Sequence, residues 1–191
     1  MVVELLHFTP LEVADKAISK CWDKTTDKPK ERMYRVANKF KHASTIEHIN
    51  YTFDIDGISR ACLQELARHR HQSLSVKSSR YTLKELKYTE DLESFLVYPN
   101  NMVVHNNNIR QLADVQLALQ LGVSNDIVKY SLPEAYKTSL VSTMNMRALQ
   151  NFLSLRTDKA ALWEIQKLAH KVYEAVPEEH KFMLEDYVKN D

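Results

Sequence analysis

The clearest alternation of apolar and polar positions is "INYTFDID", where Ile49, Tyr51, Phe53 and Ile55 take every second place and predict a strand with one buried face. Asp56-Gly57 then predicts a turn into a helix, "ISRACLQELARHRHQ", with Ile58, Cys62 and Leu66 on its apolar line and Leu63 and Ala67 alongside. Before the strand comes an apolar opening, "VVELLHF". Thr9-Pro10, with Glu12 three residues after Thr9, marks the start of a helix through "LEVADKAISKCW". A polar connector, "DKTTDKPK", leads to a second half-buried helix with Met33, Val36, Ala37 and Phe40 at helical spacing. Ser44 and Glu47 have capping-box spacing and predict a tight helical turn.

After the strand and helix, Leu74, Val76, Ser78 and Arg80 would share one face of an extended segment. The stretch from Glu85 to Asn108 is charged and poorly periodic, with Pro99 and a run of asparagines. A long helix, "IRQLADVQLALQLG", closes on Gly122. Its apolar positions Leu112, Val115, Leu117, Leu119 and Leu121 exceed one stripe, which predicts burial on several faces, in a deep core or a subunit contact. Ser124 can cap "NDIVKYSL", which Pro133 stops. The stretch "AYKTSLVSTMN" has no clear period. It precedes a short helix "MRALQNFLSL", a longer one from Lys159 through Val176, and a terminal helix starting at Pro177. The fold class is α+β, mostly helical with a small central mixed or antiparallel sheet near residues 49–81.

Length and composition narrow this. The 191 residues, 44% hydrophobic, suit one domain spanning 1–191. No secretory leader and no membrane-length apolar run is evident, so the expectation is a cytoplasmic protein with no membrane partner. With 26 Lys+Arg against 25 Asp+Glu, the formal net charge of +1 argues against a nucleic-acid binder. With only 2 glycines, the chain has neither a GxGxxG fingerprint nor a GxxxxGK[ST] loop, so any bound phosphate must be held by side chains or helix ends.

Against that neutral background, "RHRHQSLSVKSSR" from Arg68 to Arg80 is a local positive field. Such a segment is either a solvated basic face or an anion site. Arg68 and Arg70 at a helix end, followed by a turn, could converge with Arg80 on one phosphate or carboxylate. Asn145, Arg147 and Asn151, about one turn apart, line a polar groove or face water. Arg156 lies before an incoming helix N-terminus, where anions are favoured, or else pairs with Asp158. His42, Glu47 and His48 lack the further ligands of a metal site, so no metal is expected. Cys62 lies in an apolar line, which disfavours a thiolate nucleophile.

The same stretch resembles the signature of the flavin-dependent thymidylate synthases: RHR, seven residues, Ser, any residue, Arg, met here by Arg68, His69, Arg70, Ser78 and Arg80. "HASTIEHINYTF", "SLPEAYKT", "NMRALQNFLSLR" and "WEIQ" resemble that family elsewhere, so the likeness covers nearly the whole chain. It implies a homotetramer with active sites at subunit interfaces. The implied reaction converts dUMP to dTMP, with 5,10-methylenetetrahydrofolate giving the one-carbon unit, FAD the hydride and NADPH re-reducing the flavin. The residues implied to contact FAD are His42, Ser44, Glu47, Arg68, His69, Arg70, His71, Asn145, Arg147, Asn151 and Leu155, with His42 also beside the folate. Those implied to hold dUMP are Glu65, Ser78, Ser79, Arg80, Lys129 and Arg156, with Arg156 the catalytic group that polarises the uracil. The chain departs from the family's common pattern at Ser75-Val76, where Asn-Glu is usual, at Glu65 for glutamine, at Lys129 for arginine and at Ala160 for histidine. The alternative is a non-catalytic FAD- or nucleotide-binding protein of the same fold.

Overall fold

The computed structural model describes residues 1–189. Its centre is a four-stranded sheet in the order β1-β2-β4-β3, with every neighbouring pair antiparallel. The strands are β1 (Val2–Phe8), β2 (Asn50–Ser59), β3 (Gln72–Val76) and β4 (Lys137–Asn145). The sheet therefore draws on both ends of the chain, where the sequence placed it near residues 49–81.

β2 behaves as its alternation requires, with Tyr51, Phe53 and Ile55 buried on one face. The expected turn at Asp56-Gly57 is instead a bulge. Gly57 takes φ +73, the register shifts between Asp56 and Ile58, and the strand continues to Ser59. β4 escaped the sequence reading because its buried face alternates Thr138, Leu140, Ser142 and Met144, half of it hydroxyl side chains. β1 escaped because "VVELLHF" does not alternate cleanly. It is an edge strand, with a register irregularity between Leu5 and His7.

The helices are α1 (Leu11–Trp22), α2 (Pro29–Tyr34), α3 (Arg60–Ala67), α4 (Ser79–Thr82), α5 (Met102–Gln120), α6 (Asn125–Val128), α7 (Met146–Arg156), α8 (Trp163–Ala175) and α9 (Glu178–Lys181). A 3-10 segment, Ala43–His48, precedes β2. Pro10, not Thr9, occupies the cap of α1, and the Thr9 hydroxyl accepts from the Asn50 amide instead. α2 runs into a π-helical turn, Arg35–Lys39. α8 starts at Trp163 rather than Lys159, and the terminal helix shrinks to α9 followed by a 3-10 turn, Glu185–Tyr187.

α5 begins well before Ile109, because the Asn101 side chain accepts from the Val104 amide at 3.1 Å and starts the helix through the asparagines. One stripe of α5, Leu112, Val115 and Leu119, joins Leu83, Leu86, Leu96, Val128 and Tyr136 in a small second core. The expectation of burial on several faces fails within the chain. Leu117 is 54% and Leu121 76% exposed.

The main core packs α1, α2, α3, α7 and α8 against the sheet around Tyr51, Phe53, Phe152 and Leu168. One buried polar contact ties α8 to the start of α3. Glu164 is buried and accepts from the Ser59 amide at 2.7 Å and from the Ser59 hydroxyl, which in turn caps α3 by accepting from the Cys62 amide. Removing the carboxylate leaves two buried donors unpaired, at about 1–3 kcal/mol each. Glu164→Ala is therefore expected to lower the urea midpoint by an amount equivalent to about 1–3 kcal/mol or more. An unchanged midpoint would show that water replaces the contact without loss.

Candidate functional site

The turn that follows α3 forms one wall of a cavity of about 1050 Å³, slightly above the ~300–1,000 Å³ range usual for ligand pockets. α3 stops at Ala67. The chain turns through Arg68–Arg70, and His71 adopts φ +62, a left-handed conformation that redirects the backbone into β3. Gln72 staples the turn, its side-chain amide donating to the carbonyls of Leu66 at 2.7 Å and His69 at 3.1 Å.

The opposite wall is α7. Asn145, the last residue of β4, caps it by accepting from the Ala148 amide at 2.8 Å. The i, i+4 spacing then puts Arg147, Asn151 and Leu155 on one helical face, and all three line the cavity. Arg147 reaches across to the 3-10 segment, with Nη1 at 2.6 Å from Glu47 Oε1. Arg68, Arg70, Arg147, Arg156 and Lys189 give the cavity five cations against the carboxylates of Glu47 and Asp158. This is a field suited to a polyanion.

Arg156, at the end of α7, is the most constrained group in the wall. Its Nε donates to His69 Nε2 at 2.8 Å, its Nη1 to Glu65 Oε2 at 2.7 Å, and its Nη2 to the Glu65 carbonyl at 3.1 Å. Since the arginine can only donate, His69 Nε2 is an acceptor and the ring's proton sits on Nδ1. The ring stands edge-on to Phe152, with centroids 5.1 Å apart. Burial first, and then the Arg156 charge, push its pKa down to about 4, with Glu65 acting in the opposite sense. Cys62 is buried and burial pushes its thiol well above the ordinary range, so it is no ready nucleophile.

The structure gathers Glu47, Arg68, His69, Arg70, His71, Asn145, Arg147, Asn151, Leu155 and Arg156 around this cavity. His42 and Ser44 lie outside the wall, exposed, with the His42 ring stacked on Trp22 at 6.4 Å. The capping box does not form, since Glu47 is engaged by Arg147. Glu65 stands behind the wall, bonded to Arg156. Asp158 does not pair with Arg156. Its partner is Lys189, which with Ala160 holds its carboxyl below the usual range. Lys189 and Asp158 are wall residues that the sequence reading missed, because a contact across that separation leaves no local pattern.

The three arginines of the basic segment do not converge within the chain. β3 is extended, rising about 3.3 Å per residue, and it carries the chain away from the Arg68–Arg70 turn before α4 begins. Arg80 then pairs with Asp126 at 2.6 Å, and its carbonyl accepts from Asn125 at 2.7 Å. Ser78, Ser79 and Arg80, held to the start of α6 by these contacts, and Lys129, just after α6, do not line the cavity, and Tyr81, Ile127 and Tyr130 next to them in sequence are exposed. Among the described residues, no group of three or more His, Cys, Asp and Glu is placed to hold a metal ion, and no helix is long and apolar enough to cross a membrane.

The chain matches the protein-family model described as "Thymidylate synthase complementing protein" over residues 4–180. It is 52% identical to the flavin-dependent thymidylate synthase of Campylobacter jejuni, covering 100% of this chain and 99% of that one. It is 44% identical to the enzyme of the same name from Helicobacter pylori, covering 100% of both. The crystal structure of the Helicobacter pylori thymidylate synthase X with FAD and dUMP superimposes with a TM-score of 0.94 at 43% identity over 100% of both chains.

Folding lowers the His69 pKa from 6.5 to about 4, so the stability carried by the neutral ring is complete above about 6.5 and is lost as pH falls toward 4. The His69 Cε1 proton resonance is expected to titrate with a midpoint near 4, and Arg156→Gln to raise it. A midpoint near 6.5 in the parent chain contradicts the Arg156–His69 geometry.

Proposed function

The chain belongs to the flavin-dependent thymidylate synthase family, and on that premise we propose that it is an FAD-dependent thymidylate synthase converting dUMP to dTMP. 5,10-Methylenetetrahydrofolate gives its methylene carbon to C5 of the uracil, which loses its proton, and tetrahydrofolate leaves. When bound, FAD supplies the hydride that turns the methylene into a methyl group, having taken it from NADPH. The cavity of about 1050 Å³, walled by four arginines and a fixed neutral histidine, is the observation that carries this reading.

In this reading Arg68, Arg70 and Arg147 hold the cofactor's phosphates by paired guanidinium contacts. His69, His71, Asn145 and Asn151 contribute polar contacts and Leu155 an apolar one. Glu47 orients Arg147 until a ligand competes for it. His42 and Ser44 approach the flavin and folate from the rim of the same end of the sheet. Arg156 polarises the uracil carbonyl and stabilises the charge that develops on attack, aimed before the substrate arrives by His69 and Glu65.

Ser78, Ser79, Arg80 and Lys129 are the remaining nucleotide-holding residues, with Lys129 a point charge where an arginine fork is usual. They lie off the cavity wall with exposed apolar neighbours in sequence, and exposed Leu117 and Leu121 extend along α5. A homotetramer in which one subunit's Arg80 segment completes another's cavity satisfies both facts. The ligands of such a reaction belong to the cytoplasm, and the whole chain acts as one domain.

The reading is tested by incubating the FAD-loaded protein with dUMP, methylenetetrahydrofolate and NADPH and identifying the products. Equal amounts of dTMP and tetrahydrofolate are expected. Bound FAD without dTMP favours the non-catalytic alternative. Shared sites make a second prediction: Arg80→Ala and Arg156→Ala chains, each inactive alone, recover dTMP synthesis when co-assembled. No recovery in a mixed tetramer contradicts a site built from two subunits.

A further inference from the structure

Five cations line the cavity, and the proposed function uses the four arginines among them. Lys189 is the fifth. The segment that carries it, residues 177–189, has only α9 and one 3-10 turn as regular structure, so contacts must place it. Four polar contacts do so. The Tyr51 hydroxyl lies 2.7 Å from Nδ1 of buried His180, and the buried Gln150 side-chain amide donates to the Met183 carbonyl at 2.9 Å. The Tyr34 hydroxyl donates to Asp186 at 2.6 Å, and the Lys189 amide donates to the hydroxyl of buried Thr157 at 2.9 Å. That hydroxyl donates in turn to the Leu153 carbonyl at 2.7 Å, so the Lys189 backbone is fixed to the end of α7, the helix that makes one wall of the cavity.

Four wall residues meet there. Asp158 Oδ1 accepts from the Ala160 amide at 2.8 Å, Oδ2 accepts from Lys189 Nζ, and the Asp158 carbonyl accepts from the Ala161 amide at 2.9 Å. Both carboxylate oxygens are engaged within the chain, so Asp158 holds the lysine instead of facing a ligand. Ala160, where histidine is usual in the family, and Ala161 bring no polar side chain, which leaves Lys189 as the side-chain donor of this group. An ammonium has three N–H donors, and Asp158 takes one. The Lys189 side chain is 54% exposed, open to whatever fills the cavity. Resting on the proposed synthase reading, we infer that Lys189 is a further cofactor-binding residue, donating to an anionic group of the bound FAD, with Asp158 as its positioning partner. Such a group is found in two places, on the diphosphate in every redox state and on the ring once it is reduced.

The test is the FAD dissociation constant, read from flavin fluorescence, in the parent, Lys189→Met, Asp158→Asn and the double variant. Loss of one charge-assisted hydrogen bond corresponds to about 10- to 100-fold weaker binding, which is expected for Lys189→Met. Removing the lysine also frees the Asp158 charge, and the double variant separates the two effects. With Asn at 158 throughout, Lys189→Met should still weaken FAD by about 10-fold or more. Equal affinity of Asp158→Asn and the double variant overturns the proposal. A lysine that only anchors its segment would lower the melting temperature of the FAD-free protein and leave the dissociation constant unchanged, which also overturns it. The midpoint potential of the bound flavin in Lys189→Met tells the two anionic groups apart. A potential equal to the parent's assigns the contact to the diphosphate and a lower one assigns it to the reduced ring, and either result, with weakened binding, upholds the contact. A parent chain that binds FAD but makes no dTMP sinks the synthase reading, while the dissociation constants still decide the role of Lys189. One that binds no FAD overturns both.

Discussion

The register between β2 and β4 is the constraint on which the site depends. Asn50 pairs with Asn145 and Tyr51 with Met144, so the 3-10 segment entering β2 lies beside the start of α7. The Met146 amide donating to the Ile49 carbonyl at 2.7 Å locks that corner. On the other side of β4, Gln72 pairs with Met144, which brings the Arg68–His71 turn to the same end of the sheet. Three segments far apart in sequence thereby deliver Glu47, Arg68, His69 and Arg147 to one cavity. A one-residue slip would turn Tyr51 and Phe53 out of the core, so the hydrophobic face that fixes the register also fixes the site.

The electrostatics follow from this gathering. A chain of formal net charge +1 concentrates cations at one corner and holds them with its own carboxylates: Glu47 on Arg147, Glu65 on Arg156, Asp158 on Lys189, and Asp126 on Arg80 off the cavity wall. The exposed pairs contribute little to stability, about 0–1 kcal/mol each, so a phosphate can replace their acids at small cost. The Glu65–Arg156 pair is more enclosed and has His69 as a third member, which suits a group that must stay aimed. Neutral His69 adds no further positive charge next to Arg156, because burial and the arginine both oppose its protonation.

β2, α3 and α7 were legible in the sequence because their buried faces are continuous runs of apolar residues at the right period. β4 was not, because Thr138 and Ser142 occupy half of its inward positions, and a two-residue period in hydropathy disappears when hydroxyls are buried. The start of α5 was hidden by Asn106, Asn107 and Asn108, poor helix formers that a good cap at Asn101 overrides. In the site, Arg147, Asn151 and Leu155 were readable from i, i+4 spacing, and the Arg68–Arg70 cluster from its charge. The Asp158–Lys189 contact, the separation of Arg80 from Arg68, and Glu65's position behind Arg156 depend on tertiary placement that no local pattern encodes.

The central claim is that this chain uses a bound flavin, with no enzyme nucleophile, to methylate dUMP. It is tested most directly by reducing the FAD-loaded protein without oxygen, adding dUMP and methylenetetrahydrofolate, and following flavin absorbance and dTMP together. Reoxidation of the flavin in step with dTMP, one for one and only when both substrates are present, is the expected result. A flavin that stays reduced with both substrates bound, or dTMP that forms while the flavin remains reduced, would contradict the account.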